Sequence, residues 1–404
     1  LGVVPALELT YQVWQEITWK HSLRIYESTK VSDDDAVLLF ITGGSNGSQP
    51  GREMELFAFT LAKLTGARVA LLSQVPNQPL LGDKKEDALI AETFIRYLET
   101  KDESWPLLFP MVKSAVRAMD AVQAWAKEGG KFEVKRFVVT GASKRGWTTW
   151  LTGAVDDRVI AIAPMVIVML NLGTQGPNQL DVWGDYSEQI DDYVKRGLME
   201  TSKEGVGAKL WEMVDPFTFR HRLSKPKMLI NGSNDPYWTL NALDLYWDGL
   251  VGPKYLVELP NAGHGLDSNR EWAVNGIAAF FRASISGRTL PKLDWKFESA
   301  DGRHTLKLNA EPAPKSARLW TAEAPNRDFR RSKWTSSPLD PGSVVTAEIP
   351  SAENGNKAAF ASLEYEIDGI PYRLTTSFFE PGAPAANKNP KPRKRALEPV
   401  GASR

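Results

Sequence analysis

A serine, an aspartate and a histidine follow three separate apolar runs of this chain, in that order. Ser143 lies in the segment Gly-Ala-Ser-Lys-Arg-Gly, Asp235 ends the segment Asn-Gly-Ser-Asn-Asp, and His264 lies in Asn-Ala-Gly-His-Gly. A serine hydroxyl is a weak nucleophile at neutral pH until a histidine takes its proton and an acid orients that histidine. These residue types in this order therefore predict acyl transfer through a serine nucleophile, and they say much less about the substrate.

The segment around Ser143 has the composition that a nucleophilic serine needs. Such a serine projects from a tight turn between a strand and a helix, where the flanking residues must be small. Gly141 supplies a small residue two positions before it, but Arg145 occupies the position two after it and Gly146 comes one later. The apolar run 137–139 precedes the serine and a helix-like pattern follows it, as the turn requires. A serine that simply caps a helix would look the same and is the alternative.

His264 is the candidate general base, because it lies between two glycines after an apolar run, where a loop can bend into a site. Asp235 is the candidate acid, and the alternative is an ordinary turn aspartate before Pro236. The chain order serine, acid, histidine is that of α/β-hydrolases, whereas chymotrypsin-like and subtilisin-like enzymes use other orders. The remaining histidines are interpreted as structural: His21, which precedes the first predicted strand, His221 and His304.

The oxyanion of an acyl-transfer intermediate needs two backbone N–H donors. We expect one from Lys144, the residue after the nucleophile, and the other from Gly44 and Ser45 in the loop after the first strong strand, for which a plain turn is the alternative. The cations Lys144 and Arg145 would favour an acidic substrate, unless Arg145 turns away and pairs with a buried carboxylate. The candidate walls of the substrate pocket are Arg145, Trp147, Trp183 and Trp238.

The elements that must position these residues alternate between strand-like and helix-like patterns from about residue 20 to residue 288. Such alternation predicts an α/β fold, a doubly wound and mostly parallel sheet with helices on both faces. Its strands read as nearly unbroken apolar runs because both faces are buried. The predicted strands are 36–41, 69–72, 137–139, 159–168, 228–230 and 255–259, and the predicted helices are 53–65, 106–128, 147–154 and 270–284.

Two regions depart from this alternation, and they suggest how the chain is divided. Residues 171–222 fall between two strands and are interpreted as a cap insertion within an α/β-hydrolase domain over 1–289. Residues 290–380 consist of short alternating runs with turn signals, which predict a small antiparallel β-sandwich-like domain. Residues 381–404 contain five prolines and a basic cluster, which predict a disordered tail.

Composition excludes several function classes. Lys plus Arg and Asp plus Glu both number 49, so there is no global basic field that would attract nucleic acid. The absence of cysteine excludes disulfides, a thiol nucleophile and cysteine-based metal sites. No His, Asp and Glu cluster has metal-ligand spacing, so neither a metal nor a cofactor is expected. No apolar stretch reaches the roughly 20 residues that a membrane-spanning helix needs.

Several of these segments resemble the PhoPQ-activated pathogenicity-related protein family. The resemblance is carried mainly by 138–150 and 156–159, with the loop 40–44 and the cap segment 183–187, and it extends over roughly 10–380. It implies an α/β-hydrolase fold with a C-terminal β-domain and usually export from the cytoplasm. It also places the serine, acid and histidine roles on Ser143, Asp235 and His264. The segment around Ser143 resembles glucuronoyl esterases more distantly, since those also have a basic residue after the serine.

The sequence thus predicts a serine hydrolase that cleaves an ester or peptide bond of a small-molecule or peptide substrate. The rival hypothesis is a catalytically silent binding or signalling protein of the cell envelope or exterior. A contact with polysaccharide or protein through the region 290–380 is a further hypothesis. The chain begins with Leu1, which is typical of a product whose leader has been removed, although a cloning boundary would look the same. We therefore expect a periplasmic or secreted protein.

Overall fold

A nine-stranded sheet is the largest element of the structure, a computed structural model that describes residues 2–3, 6–28, 31–32, 35–130, 132–201, 204–301, 303–352 and 355–380. Its strands are β1 (Gly2–Val3), β2 (Leu7–Trp14), β3 (Ile17–Glu27), β4 (Ala36–Ile41), β5 (Arg68–Ser73), β6 (Arg136–Ala142), β7 (Val159–Met165), β8 (Lys227–Gly232) and β9 (Lys254–Leu259). The sheet order is β1-β3-β5-β4-β6-β7-β8-β9, and β2 also pairs with β3. The strands from β4 to β9 pair in parallel, whereas β1, β2 and β5 all pair antiparallel with β3.

Helices cover both faces of this sheet, and the sequence of β4 shows why. Every residue of β4 is buried, so its alternate side chains enter two different cores. The helices around the sheet are α1 (Arg52–Thr65), α2 (Glu86–Thr100), α3 (Leu108–Trp125, continued by a π-helical turn over Ala126–Gly130), α4 (Lys144–Val155) and α8 (Arg270–Ile285). Val37 and Leu39 pack in one core with residues of α2 and α3, while Leu38 and Phe40 pack in the other with residues of α1 and α8.

A helical insertion separates β7 from β8 and corresponds to the segment predicted as a cap. It contains α5 (Leu172–Trp183), α6 (Asp191–Val194) and α7 (Gly205–Val214), with 3₁₀ segments at Glu188–Ile190, Leu198–Glu200 and Pro216–Arg222; another, Leu240–Leu245, precedes β9. The Asp215 carboxylate, directly after α7, joins the end of the insertion to its beginning. It accepts the backbone N–H groups of Asn171 at 3.2 Å and Leu172 at 2.8 Å. Burial raises the pKa of Asp215 to about 6, although these backbone hydrogen bonds oppose the shift.

Two antiparallel sheets follow the α/β region. One has the order β10-β11-β14 and the other the order β13-β12-β15-β16. Buried residues of both sheets belong to the same core as α1 and α8, so the two parts of the molecule are packed together. Asp368 and Gly369, with φ of 50° and 79°, form the tight turn between the last two strands. The strands are β10 (Lys292–Ala300), β11 (Arg303–Glu311), β12 (Ser316–Ala324), β13 (Thr335–Leu339), β14 (Val344–Ile349), β15 (Asn356–Ile367) and β16 (Ile370–Thr375).

The predicted fold class is confirmed: the chain has an α/β-hydrolase fold, a mostly parallel sheet with helices on both faces, and separate antiparallel sheets at its C-terminal end. Several details were wrong or missed. His21 lies within β3 rather than before the first strand, and the strands β1, β2, β3 and β13 and the helix α2 were not predicted. The tail 381–404 lies outside the described residues. Of the helices that the structure describes, none is long and apolar enough to cross a membrane.

Candidate active site

Ser143 is the single residue between the end of β6 and the beginning of α4. Its φ is 59° and its ψ is −125°, a conformation that is strained for a residue with a side chain and typical of functional turns. A Cβ on Gly141 would come within 2.7 Å of the Arg145 carbonyl oxygen, and one on Gly146 within 2.9 Å of the Met165 carbonyl oxygen. The backbone is therefore too crowded at these two positions for any residue except glycine, whereas the position of Arg145 admits a side chain.

A chain of two hydrogen bonds links Ser143 to Asp235. Nε2 of His264 lies 2.8 Å from the Ser143 Oγ, and its Nδ1 lies 2.8 Å from the Asp235 Oδ2. Because a carboxylate can only accept, the Nδ1 carries the proton and the Nε2 accepts from the serine hydroxyl. The second oxygen of Asp235 accepts the N–H of Tyr237 at 2.9 Å, and the Tyr237 ring lies 4.1 Å from the His264 ring. The Asp235 side chain is 4% exposed and that of His264 is 25% exposed, so the acid is enclosed while the imidazole reaches solvent.

A cavity of about 130 Å³ opens beside Ser143 and His264, between the carboxyl ends of the central strands and the helical insertion. Of the predicted pocket walls, Trp147 and Trp238 line it, as does Lys144. Most of the other walls are apolar side chains that follow β7 or belong to the insertion, including Val166, Ile167, Met169, Leu172, Leu198 and Trp211. Because Ser143 and His264 line the same cavity as these apolar side chains, the cavity is placed to hold part of a substrate.

Arg145 does not line this cavity, and its prediction as a pocket wall is corrected. Its guanidinium is buried and forms two hydrogen bonds to the Glu86 carboxylate, at 2.6 and 2.7 Å, and a third to the Val75 carbonyl oxygen at 2.5 Å. A Cβ on Gly43 would collide with this guanidinium, so the loop after β4 packs directly against it. Burial alone would raise the pKa of Glu86, but the hydrogen bonds and charge of Arg145 lower it to about 2.

Three further predicted site residues also lie off the cavity. Trp183, at the end of α5, packs under the Arg330 guanidinium at 4.2 Å from its ring centre instead of forming a pocket wall. Gly44 and Ser45 are absent from the lining as well. Lys144 is a candidate oxyanion donor, because its N–H is at the first position of α4, where helix geometry leaves such groups without an intrahelical acceptor. The second donor, from Gly44 or Ser45, stays a prediction.

The ammonium group of Lys144 is neutralised within the site. Its Nζ lies 2.7 Å from the Asp87 Oδ2 and 3.5 Å from the Glu86 Oε2. Asp87 lines the cavity and also accepts the Tyr193 hydroxyl at 2.9 Å. Burial, followed by the negative charge of Asp87, raises the pKa of Tyr193 well above its usual value, which keeps the phenol protonated as a donor.

Asp87 and Glu86 were not predicted as site residues, because the helix α2 that carries them was not predicted. The signal was present as buried apolar residues at helical spacing: Leu89, Ile90, Phe94 and Tyr97. Across the described residues, no group of three or more His, Asp or Glu side chains is arranged to hold a metal ion.

A second histidine also contacts a serine, in the interior. Nε2 of His21 lies 3.0 Å from the Ser114 Oγ, and its Nδ1 lies 3.0 Å from the Gln74 carbonyl oxygen. Gln12 donates to the same Ser114 Oγ at 3.0 Å. Burial lowers the pKa of His21 to about 4, so this imidazole is neutral at pH 7.

The fold, together with a serine, histidine and aspartate joined at its strand ends, defines the class of the protein as an α/β-hydrolase-fold protein. The chain belongs to the PhoPQ-activated pathogenicity-related protein family, whose model matches residues 3–330. It is 31% identical over 396 residues to the autocrine proliferation repressor protein A of Dictyostelium discoideum, in an alignment that covers 89% of this chain and 80% of that protein.

Solved structures that are similar to this one include an esterase and a peptidase. Est1E from Butyrivibrio proteoclasticus aligns with a TM-score of 0.43 and 15% identity over 70% of this chain and 99% of its own. The Pyrococcus horikoshii acylaminoacyl peptidase aligns with a TM-score of 0.47 and 13% identity over 70% of this chain and 42% of its own.

Proposed function

We propose that this protein is a serine hydrolase that cleaves an ester or amide bond through a covalent acyl-enzyme. The observation that carries the proposal is the pair of 2.8 Å hydrogen bonds that joins Ser143 through His264 to Asp235. Two further observations support it: the strained backbone of Ser143 at a strand-to-helix turn, and the cavity beside its hydroxyl. A serine that merely capped a helix would need neither the histidine nor the cavity.

In the first half of the reaction, the Ser143 Oγ attacks the substrate carbonyl carbon while the His264 Nε2 takes its proton. Asp235 holds the imidazole in the tautomer that can accept this proton and stabilises the imidazolium that forms. The negative oxygen of the tetrahedral intermediate is stabilised by the Lys144 N–H and by the positive end of α4. The intermediate then expels an alcohol or amine, which takes the proton from His264, and leaves the acyl group on Ser143.

In the second half, His264 takes a proton from water as the water oxygen attacks the acyl carbon. The second tetrahedral intermediate collapses, the Ser143 oxygen recovers its proton from His264, and a carboxylic acid is released. The sum is one substrate and one water converted to an acid and an alcohol or amine, with no change in oxidation state.

A fluorophosphonate probe tests this proposal, because such probes phosphonylate activated serines. We expect the wild type to be labelled, and the Ser143→Ala and His264→Ala variants to react at least about a thousandfold more slowly. Thermal unfolding would verify that all three proteins are folded. Equal labelling of the wild type and Ser143→Ala, or no labelling of a folded wild type, would contradict the proposal.

A binding or signalling role is the second candidate function. The observation that favours it is the 31% identity to a protein named as an autocrine proliferation repressor. The two candidates differ in what Ser143→Ala should do, since a binding role would survive the substitution. Under either candidate we propose an exported protein, which fractionation of the source cells would test, and cosedimentation of the full chain with cell-wall polymers would test a polysaccharide contact.

A further inference from the structure

The cavity beside Ser143 contains polar side chains whose hydrogen bonds are made within the protein. The Gln175 Nε2 donates to the Leu170 carbonyl oxygen at 2.8 Å. The Gln179 Nε2 donates to the Tyr237 carbonyl oxygen at 2.9 Å, while its Oε1 accepts the N–H of Ser187 at 2.9 Å. These amides therefore hold the insertion together, and the surface left for a substrate is mostly apolar.

The charges at the cavity also cancel. The Lys144 ammonium and the Asp87 carboxylate are 2.7 Å apart, and their side chains are only 10% and 13% exposed. Arg145, the other cation of the segment, is paired with Glu86 away from the cavity. A carboxylate-bearing substrate would lose its hydration here without meeting an unpaired cation, which is unfavourable.

We infer that the substrate has an uncharged apolar group of about the size of a benzene ring on one side of its scissile bond, and that this group occupies the cavity. The inference rests on the proposed function. The volume supports it, since the cavity of about 130 Å³ is close to the ~150 Å³ of an apolar protein cavity that binds benzene. The inferred substrate class, uncharged and apolar, is the opposite of the acidic class that Lys144 and Arg145 suggested in the sequence.

Two ester series test the substrate class. The first keeps p-nitrophenol as the leaving group and varies the acyl group from acetate to butyrate to the monosuccinate. The second keeps acetate and varies the alcohol from methanol to butanol. In one of the two series kcat/KM should rise about tenfold with the longer alkyl chain, because each buried methylene contributes about fourfold. The monosuccinate, which has the length of butyrate and a carboxylate, should be at least tenfold poorer than butyrate.

Two variants connect these rates to the cavity. Leu172→Trp fills part of the cavity and should abolish the preference for the longer chain, whereas Leu56→Trp, the same change at a 63% exposed position of α1, should leave the preference unchanged. Asp87→Asn removes the nearer of the two carboxylates beside Lys144 and leaves only Glu86, which is already paired with Arg145. The substitution should therefore raise the monosuccinate rate relative to the butyrate rate at least fivefold.

Three results would overturn the substrate class. They are the absence of a chain-length preference in both series, a monosuccinate rate equal to the butyrate rate, and a preference that survives Leu172→Trp in a folded protein. Each can occur while Ser143 still reacts with the fluorophosphonate, and the proposed function would then stand. Loss of that labelling would overturn both.

A different observation supports a second inference, about the C-terminal sheets. The segment 329–334, between β12 and β13, is hydrogen-bonded to both loops that carry the histidine and the acid. The Asn261 Nδ2 donates to the Trp334 carbonyl oxygen at 3.0 Å, and the Trp334 N–H donates to the Asn261 Oδ1 at 2.8 Å. Next to the acid, the Asn234 Nδ2 donates to the Ser332 carbonyl oxygen at 2.7 Å.

The segment itself is firmly held. Phe329 and Trp334 are 1% and 2% exposed and pack in a core with Phe360 and Phe378. From this arrangement we infer that the C-terminal sheets position His264 and Asp235, through Asn261 and Asn234. The inference rests on the proposed function, and it matters because a displacement of about 1 Å at a catalytic group can lower a rate about a hundredfold.

Removal of the asparagine side chains tests this positioning role. Asn261 has a φ of 59°, so Asn261→Gly removes the side chain without straining the backbone. Asn269→Gly is the matched control, because Asn269 has a φ of 54° but donates to Pro260 within the α/β region. We expect Asn261→Gly and Asn234→Ala to lower kcat at least about tenfold with KM within twofold, and Asn269→Gly to change kcat less than threefold.

The split between kcat and KM separates positioning from a merely structural role, since neither asparagine lines the cavity. If Asn261→Gly fails to fold, Asn234→Ala alone decides the question. A folded variant with the wild-type kcat would overturn the inference, and so would a rise in KM with kcat unchanged. Both can happen while Ser143 still reacts with the fluorophosphonate, so they leave the proposed function intact.

Discussion

Ser143 with His264 and Ser114 with His21 are two pairs of the same residue types in contact, with distances from Oγ to Nε2 of 2.8 and 3.0 Å. The first pair borders a cavity, and its histidine side chain is 25% exposed. The second is enclosed, with residue exposures of 0% for Ser114 and 1% for His21. A substrate can therefore reach only one of these two hydroxyls without unfolding part of the protein.

The hydrogen-bond partners of the two imidazole Nδ1 atoms also differ. The Nδ1 of His264 meets the Asp235 carboxylate, whereas that of His21 meets the neutral carbonyl oxygen of Gln74. A carboxylate stabilises an imidazolium, while a buried site without one disfavours it, as the lowered pKa of His21 reflects. A Ser–His contact therefore suits nucleophilic catalysis when a substrate can reach the serine and a carboxylate contacts the histidine. Without these two features it only satisfies buried polar groups.

The largest effect should separate the two serines directly. We expect Ser143→Ala to lower kcat for an ester substrate by about 10⁶-fold, since removal of a triad nucleophile has an effect of that order. Ser114→Ala should leave kcat within threefold of the wild type at a temperature where the variant is folded. Steady-state kinetics with p-nitrophenyl butyrate would measure both values of kcat, and a similar loss in the two variants would contradict the different roles given to the two serines.

The second effect concerns the acid. Asp235→Asn should lower kcat about 10⁴-fold with little change in fold, because an amide favours the wrong imidazole tautomer. The hydrolysis rate and the circular dichroism spectrum of the variant would check this. A loss below tenfold in Asp235→Asn would show that a neutral partner serves His264 as well as a carboxylate does.

The third effect is a pH dependence that belongs to His21. Unfolded histidine titrates near 6.5, and the folded pKa is about 4, so the folded state favours the neutral ring. The stability this contributes is present above pH 6.5 and is lost as the pH falls from 6.5 to 4, by about 3 kcal/mol in the free energy of unfolding. Urea unfolding at pH 7 and pH 4 should show that this loss is smaller by that amount in His21→Gln; an equal loss in both proteins would contradict the assignment.

The smallest effects are two changes of opposite sign in the free energy of unfolding. Ser114→Ala removes the hydroxyl that bonds the His21 Nε2 and the Gln12 Nε2, although the two side chains keep the Gln74 and Pro110 carbonyl oxygens as partners. The buried His21 Nε2 then lacks a partner, so the substitution should lower the free energy of unfolding by about 1–3 kcal/mol. Ser143→Gly relieves a backbone strained at a φ of 59° and should raise it by about 1 kcal/mol. Urea unfolding at pH 7 would measure both, and a destabilised Ser143→Gly would mean that the turn stores no strain.

The sequence predicted a residue's role best where that role depends on the residues next to it along the chain. Ser143, Asp235 and His264 could be predicted because each follows an apolar strand and because their order is typical of one fold. The structure brings these three side chains together as expected. The parallel sheet was predictable for the same reason, since buried strands such as β4 are continuous apolar runs.

The sequence was least informative where a side chain's role depends on a distant partner. Whether Arg145 faces the cavity depends on Glu86, 59 residues away, and nothing near Arg145 indicates that pairing. Likewise, the bonds from Asn261 to Trp334 join residues 73 positions apart. The strand β13 was missed because its five residues, Thr-Ser-Ser-Pro-Leu, lack an apolar alternation.

Locating the adduct of a fluorophosphonate tests most directly whether Ser143, and not Ser114, is the nucleophile that we propose. The folded wild-type protein would be treated with the probe, digested, and its peptides identified by mass spectrometry. We expect one phosphonylated peptide, the one that contains Ser143. An adduct on Ser114 or on another serine, or no adduct on a protein verified as folded, would contradict the account.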